Sequence, residues 1–119
     1  MKVLRMIMKY ISVFSLILVL CSCVPEDSDH QYTMVYKYDG SVQCNNANIT
    51  LDEMAMELIT AGIDVICSAK GNDGLFYPAV CDAPTGNVYL YKIHRVNLDE
   101  AEVLGFESAS MLNNSHSCE

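Results

Sequence analysis

The stretch from Asn48 to Ala69, NITLDEMAMELITAGIDVICSA, constrains this chain more than any other, because it reads as a capped helix, a glycine stop and a β-rich run in direct succession. Thr50 stands where a helix N-cap is wanted, and Glu53 three residues on completes a T-x-x-E capping box. Ile49 before the cap and Met54 after it are spaced as a hydrophobic staple. Leu51, Met54, Ala55, Leu58 and Ala61 recur at helical spacing and predict one apolar face over residues 50–61. Gly62 follows where a left-handed C-terminal residue is needed, since it has no Cβ to clash. Ile63, Val65 and Ile66 then predict a strand over 63–69.

The remaining elements arrange themselves around this unit. Residues 32–38 alternate, with Tyr32, Met34, Tyr36 and Tyr38 on one face and Thr33, Val35 and Lys37 on the other, a half-buried strand ended by Asp39-Gly40. Lys70 to Gly74 reads as a turn, and residues 88–96 as a second clear strand. Asn97-Leu98-Asp99-Glu100 repeats the helix opening of Thr50-Leu51-Asp52-Glu53, and Leu104-Gly105-Phe106-Glu107 echoes Ala61-Gly62-Ile63-Asp64. The pattern strand, capped helix, glycine, strand therefore occurs twice, with a helix over 98–104 and a last strand over 106–111. Two such halves make an α+β domain with the ferredoxin-like βαββαβ plait: an antiparallel sheet ordered 4-1-3-2 with both helices on one face.

The first residues read as an export signal. Lys2, Arg5 and Lys9 form a basic start, and residues 11–20 an apolar run too short for a membrane span, which needs about 20 residues. Leu20-Cys21-Ser22-Cys23 resembles the lipobox of bacterial lipoproteins, with Cys21 as the departure at a tolerant position. That resemblance implies cleavage after Ser22 and a lipid anchor on Cys23, with Val24 favouring the outer membrane, facing the periplasm. The expected divisions are a signal over 1–22, a lipidated Cys23 and tether over 23–31, a domain over 32–112 and a flexible tail over 113–119. Without the signal, Lys37, Lys70, Lys92 and Arg95 stand against all 15 acids, a formal charge of −11. Such a balance argues against nucleic acid as a partner.

Export permits disulfides among Cys44, Cys67, Cys81 and Cys118. In the plait, Cys44 after strand 1 and Cys81 between strands 2 and 3 lie at the same end of the sheet, which makes Cys44–Cys81 the favoured bridge. Cys67 reads as a small buried hydrophobe. A bridge from it to Cys118 would need the tail to fold back and ranks below one to Cys81.

Motifs that carry chemistry do not emerge. The mature chain has no C-x-x-C, and His30, His94 and His116 are scattered, so neither metal nor cofactor is expected. No G-x-S-x-G, H-E-x-x-H or glycine-rich phosphate loop occurs, and Asp52-Glu53 and Asp99-Glu100 suit the first turns of helices, so the chain reads as a non-enzyme. The connection over residues 72–87 is different. It places Leu75, Phe76, Tyr77 and Val80 beside Pro78 and Pro84 in a segment too long for a simple hairpin. It resembles segments of small uncharacterised bacterial exported proteins, which implies no activity. The expectation is a lipid-anchored binding module that meets an envelope protein through Phe76 and Tyr77. A periplasmic inhibitor or accessory subunit of an envelope enzyme is the alternative, with thiol or metal handling behind it.

Overall fold

The computed structural model describes residues 2–17, 31–45, 48–112 and 118. Its first element is helix α1, Lys2–Ile17, in which the side chains of residues 2–9 are exposed. Among the described residues no helix is long and apolar enough to cross a membrane. The expected cleavage point after Ser22, the lipid-bearing Cys23 and the tether up to residue 30 lie outside the described residues. So do residues 113–117 and 119 of the expected tail.

The domain is a small α+β unit, a four-stranded antiparallel sheet carrying two helices. Strands β1 (Tyr32–Tyr38), β2 (Cys67–Asn72), β3 (Asn87–His94) and β4 (Glu107–Ser108) lie in the order β2-β3-β1-β4. Every pairing is antiparallel: β1 with β3 from Tyr32↔His94 to Tyr38↔Val88, β2 with β3 from Cys67↔Lys92 to Asn72↔Asn87, and β1 with β4 at Val35↔Ser108 and Tyr36↔Glu107. Helix α2 (Leu51–Thr60) opens on the expected capping box, with the Glu53 amide donating to Thr50 Oγ1 at 3.2 Å and the Thr50 amide donating to Glu53 Oε2 at 2.8 Å. A cap of this kind is worth about 1 kcal/mol.

Both helices end alike. Gly62, at φ +83°, donates to Ile59 O, and Ile63 donates to Leu58 O. Gly105, at φ +91°, donates to Glu102 O, and Phe106 donates to Ala101 O, after α3 (Leu98–Val103). This paired closure needs a left-handed residue at the glycine and sends the next side chain back under the helix. Ile63 and Phe106 are that next side chain, and each is 1% exposed. They join Met54 and Leu58 of α2, Ala101 of α3 and Val35, Tyr89, Tyr91 and Ile93 of the sheet in one core. The Tyr91 and Tyr89 hydroxyls reach past the apolar layer and donate to Leu51 O at 2.6 Å and Ile49 O at 3.0 Å, fixing the start of α2 over β3. Lys37 links α2 to the end of α3: its Nζ donates to Glu57 Oε2 at 2.6 Å and Leu104 O at 3.1 Å and lies 5.0 Å from the Phe106 ring centre.

The other face of the sheet is closed as well. Tyr36, Val88 and Leu90 are buried there with Met34, Ala69, Ala109 and Leu112 packed against them. Ala109 and Leu112, which follow β4, therefore lie on this face, and Cys118 is bonded to Cys67 at the start of β2, with Cα atoms 5.8 Å apart.

Several expectations need correction. The second strand begins at Cys67, not residue 63, because the Ile63 amide is taken by the helix closure and only Ile66 reaches toward β3, at 2.8 Å from Lys92 O. It continues to Asn72 through what was expected to be a turn from Lys70. Strand β3 ends at His94, and a 3₁₀ turn, Arg95–Asn97, leads into α3. Asn97 therefore does not cap as Thr50 does: its backbone, at φ −95° and ψ 5°, is not extended, and its side chain makes no cap bond. The last strand is two residues long and gives way to a 3₁₀ turn, Ala109–Met111. Cys67 is not a free buried thiol, and Cys118, not Cys81, is its partner. The cause is topological: β2 starts at the end of the sheet where β4 finishes, so Cys118 arrives beside Cys67 while Cys81 sits at the far end.

Candidate functional site

At that far end, the connections leaving β1 and β2 are knitted into one platform. Cys44 and Cys81, 37 residues apart, form a disulfide with Cα atoms 5.1 Å apart. Both cysteines are exposed. On either side of the bridge the backbones pair, Gln43 N donating to Ala83 O at 2.9 Å and Asp82 N to Gln43 O at 3.0 Å, while Val42 faces Pro84 as an isolated bridge. Cys44 and Asp82 both hold positive φ, at 66° and 69°, a left-handed conformation uncommon outside glycine. The Gln43 side chain adds a bond from Nε2 to Pro78 O at 2.8 Å.

Two buried acids organise this platform, Asp39 at 5% exposure and Asp73 at 3%. Asp39 follows β1 and accepts from the Ser41 amide at 2.8 Å, the Ser41 hydroxyl at 2.6 Å and Asn48 Nδ2 at 3.3 Å. A buried carboxylate is tolerated only when its lone pairs are met, and these donors meet them. Asp73 follows β2 and is the hub of the longer connection. Its Oδ1 accepts from the Leu75 amide at 2.9 Å; its Oδ2 accepts from the hydroxyls of Tyr38, at 3.0 Å, and Tyr77. Burial works against the charge on Asp73, but these bonds, that of Tyr77 foremost, outweigh it and hold the carboxyl below the usual carboxylate range. The same contact pushes the Tyr77 phenol up to about 12, and burial followed by the bond to Asp73 raises Tyr38. Gly86 lets the hub form: a Cβ there would lie 2.5 Å from Asp73 Oδ1 and 2.7 Å from Tyr77 Cε2, and its φ is +74°.

The two expected contact residues are separated by this geometry. Phe76 is 96% exposed, and Leu75 and Val80 are more than half exposed beside it. Tyr77 is half-buried, its hydroxyl committed to Asp73, and serves as a prop for the loop next to Phe76 in the chain. Asp73, Tyr38 and Gly86 were missed at the level of sequence. The available signal was local: Asn72-Asp73-Gly74 is a side-chain-capped turn, with Asn72 Oδ1 accepting from the Gly74 amide at 2.9 Å.

The arrangement presents an apolar tip on a stiffened base. Between Gly74 and Cys81 there is no charged residue. Among the described residues no three His, Cys, Asp or Glu side chains are grouped to hold a metal ion. No protein-family model, curated protein or solved structure matches this chain.

Proposed function

We propose that this protein is a non-catalytic binding module, held at the bacterial envelope by a lipid on Cys23, that meets an envelope protein through the connection between β2 and β3, with Phe76 as the anchor. The observation that carries this reading is the 96% exposure of Phe76 on a segment whose neighbours are fixed by a disulfide and a buried carboxylate. An aromatic side chain is costly to leave solvated and is enriched at the centres of interfaces. A base ordered before binding lowers the conformational entropy lost on association. The domain that carries it is read as a ferredoxin-like βαββαβ plait, supported by the element order and by the strand order β2-β3-β1-β4.

The test uses the full chain expressed in a bacterial envelope with a photo-crosslinking phenylalanine analogue at position 76. The expected result is a discrete crosslinked protein, absent when the analogue replaces Val103, which is 86% exposed on α3. Equal labelling from both positions would remove the claim for the connection. Intact-mass measurement of the detergent-extracted protein should show an acylated Cys23 at the amino terminus, and an unmodified chain would end the anchoring claim.

A further inference from the structure

We infer that the segment Gly74–Ala79 acts as a substrate-like inhibitory loop for an endopeptidase with a deep apolar primary pocket, Phe76 filling that pocket. This rests on the reading of the connection as the contact surface and names the partner by its chemistry.

Three features of the loop point there. First, one residue alone is fully offered. Phe76 stands at 96% exposure between Leu75, whose amide donates to Asp73 Oδ1 at 2.9 Å, and Tyr77, whose hydroxyl donates to Asp73 Oδ2. Both flanks of the Phe76–Tyr77 peptide bond are thus pinned to one buried carboxylate. Second, the pinning continues on each side. Asp73 N donates to Gly86 O at 2.9 Å upstream; downstream, Pro78 O accepts from Gln43 Nε2 at 2.8 Å and Cys81 is bonded to Cys44. Third, the segment from Gly74 to Cys81 is uncharged and Leu75 adds a second exposed apolar side chain, so a cleft that accepts it is apolar at its main subsites.

These features separate an inhibitor from a substrate by elementary kinetics. A serine endopeptidase forms an ester between its nucleophile oxygen and the Phe76 carbonyl carbon as the C–N bond to Tyr77 breaks and a proton passes to the Tyr77 amine. In a flexible substrate that amine diffuses away and water takes its place. Here the Tyr77 side remains tied through its hydroxyl to Asp73, through Pro78 O to Gln43 and through the Cys44–Cys81 bridge. The retained amine attacks the ester, returns its proton to the enzyme and restores the peptide bond. The high effective concentration of a held nucleophile favours this return over hydrolysis. The cleft therefore stays occupied.

The full-length protein in mild detergent is mixed with chymotrypsin, whose pocket is an apolar slot, and with trypsin, whose pocket holds a carboxylate. Inhibition of chymotrypsin on a chromogenic peptide is expected, with trypsin untouched. Phe76→Ala should weaken it by about a hundredfold, the scale of losing an interface anchor. Phe76→Lys should transfer inhibition to trypsin. Tyr77→Phe, which leaves Phe76 and the fold in place, should turn slow cleavage after Phe76 into cleavage at least about tenfold faster. Prompt cleavage of the wild-type loop, or unchanged chymotrypsin activity at excess protein, overturns the inference. In that case continued crosslinking from position 76 would leave the contact surface standing, and its loss would remove both.

Discussion

The core beneath α2 and α3 and the platform at the Cys44–Cys81 end are held by different forces. In the core, Met54, Leu58, Ile63, Tyr91 and Phe106 are almost wholly removed from water, and the hydroxyls of Tyr89 and Tyr91 at its rim meet the carbonyls of Ile49 and Leu51 around the start of α2. The platform has little apolar burial. Ala83 is its buried hydrophobe, while Leu75, Phe76 and Val80 face solvent. It is held by a disulfide, two buried carboxylates and cross-linked backbone. The core is held by area removed from water, and the platform by specific bonds that fix a shape without hiding its apolar side chains. If the platform is the contact surface proposed above, stiffening of the second kind keeps its apolar side chains available.

The largest expected effects come from the disulfides. Replacing Cys44 and Cys81 together by serine should cost about 4 kcal/mol in the chain-entropy account, and replacing Cys67 and Cys118 a similar amount. The two losses should differ in what they expose. Opening Cys44–Cys81 should raise amide exchange through residues 72–87 and leave the helices protected. Opening Cys67–Cys118 should expose the second face of the sheet around Tyr36 and Leu90. Urea unfolding with hydrogen exchange reads both, and identical exchange patterns would show that the platform is not a separate unit.

Leu58→Ala should come next, at about 3 kcal/mol, from lost transfer energy and the cavity left under α2. Leu58 is 0% exposed in the core. Its loss should lower the unfolding midpoint while the Phe76 loop keeps the proposed binding. Loss of binding at temperatures where the variant is folded would mean that core and platform are mechanically coupled.

Asp73→Asn should cost about 2 kcal/mol, since hydrogen bonds to a buried charged group are among the stronger ones. The acid titration gives an independent reading. Folding lowers the Asp73 carboxyl below its usual range, so the stability it contributes is present above the unfolded value of about 3.9 and is lost as pH falls through the folded value. Glu53, lowered by its bonds to Thr50, acts in the same direction from the helix cap. Denaturant midpoints measured between neutral pH and strong acid should therefore fall less in Asp73→Asn than in the wild type. At the alkaline end the sign reverses in pH: Tyr38 and Tyr77 are raised, so their contribution is intact below about pH 10 and declines above it.

The contrast also explains what could be read from sequence. Capping box, helical apolar stripe and left-handed glycine are local signals, so α2 and its closure are legible in residues 48–63, and the echo at Leu104-Gly105-Phe106 is a true repeat of the same closure. The echo at Asn97 is not, because a 3₁₀ turn sets the approach to α3 and the backbone at Asn97 overrides its side chain. Where β2 begins could not be read from Ile63, Val65 and Ile66, since apolar content does not tell whether an amide serves a helix end or a neighbouring strand. The Cys67–Cys118 pairing depends on which end of the sheet each element reaches, a property of the assembled fold. At the site, the exposed aromatic segment was visible in its composition. The division of labour between Phe76 and Tyr77 was not, because it is fixed by Asp73 and by the missing Cβ of Gly86.

Phe76→Ser should have the smallest effect on stability, within about 0.5 kcal/mol of zero, as for surface positions without packing partners. The side chain is 96% exposed, and the bonds that hold its neighbours use the Leu75 amide, the Tyr77 hydroxyl and the Asp73 carboxylate, none of which it supplies. Removing the ring even takes a solvated apolar surface out of the folded state, so a slight gain is as consistent as a slight loss. The companion change Tyr77→Ser should cost more, because it leaves one of the Asp73 acceptor positions without its donor and opens space beside Gly86. Thermal unfolding of the two variants side by side therefore ranks prop against anchor. A Phe76→Ser variant that melts several degrees lower would mean that the ring packs against something in the folded protein. In that event the exposed tip would belong to the platform's own architecture, and the contrast between a core that hides its apolar residues and a platform that offers them would fail.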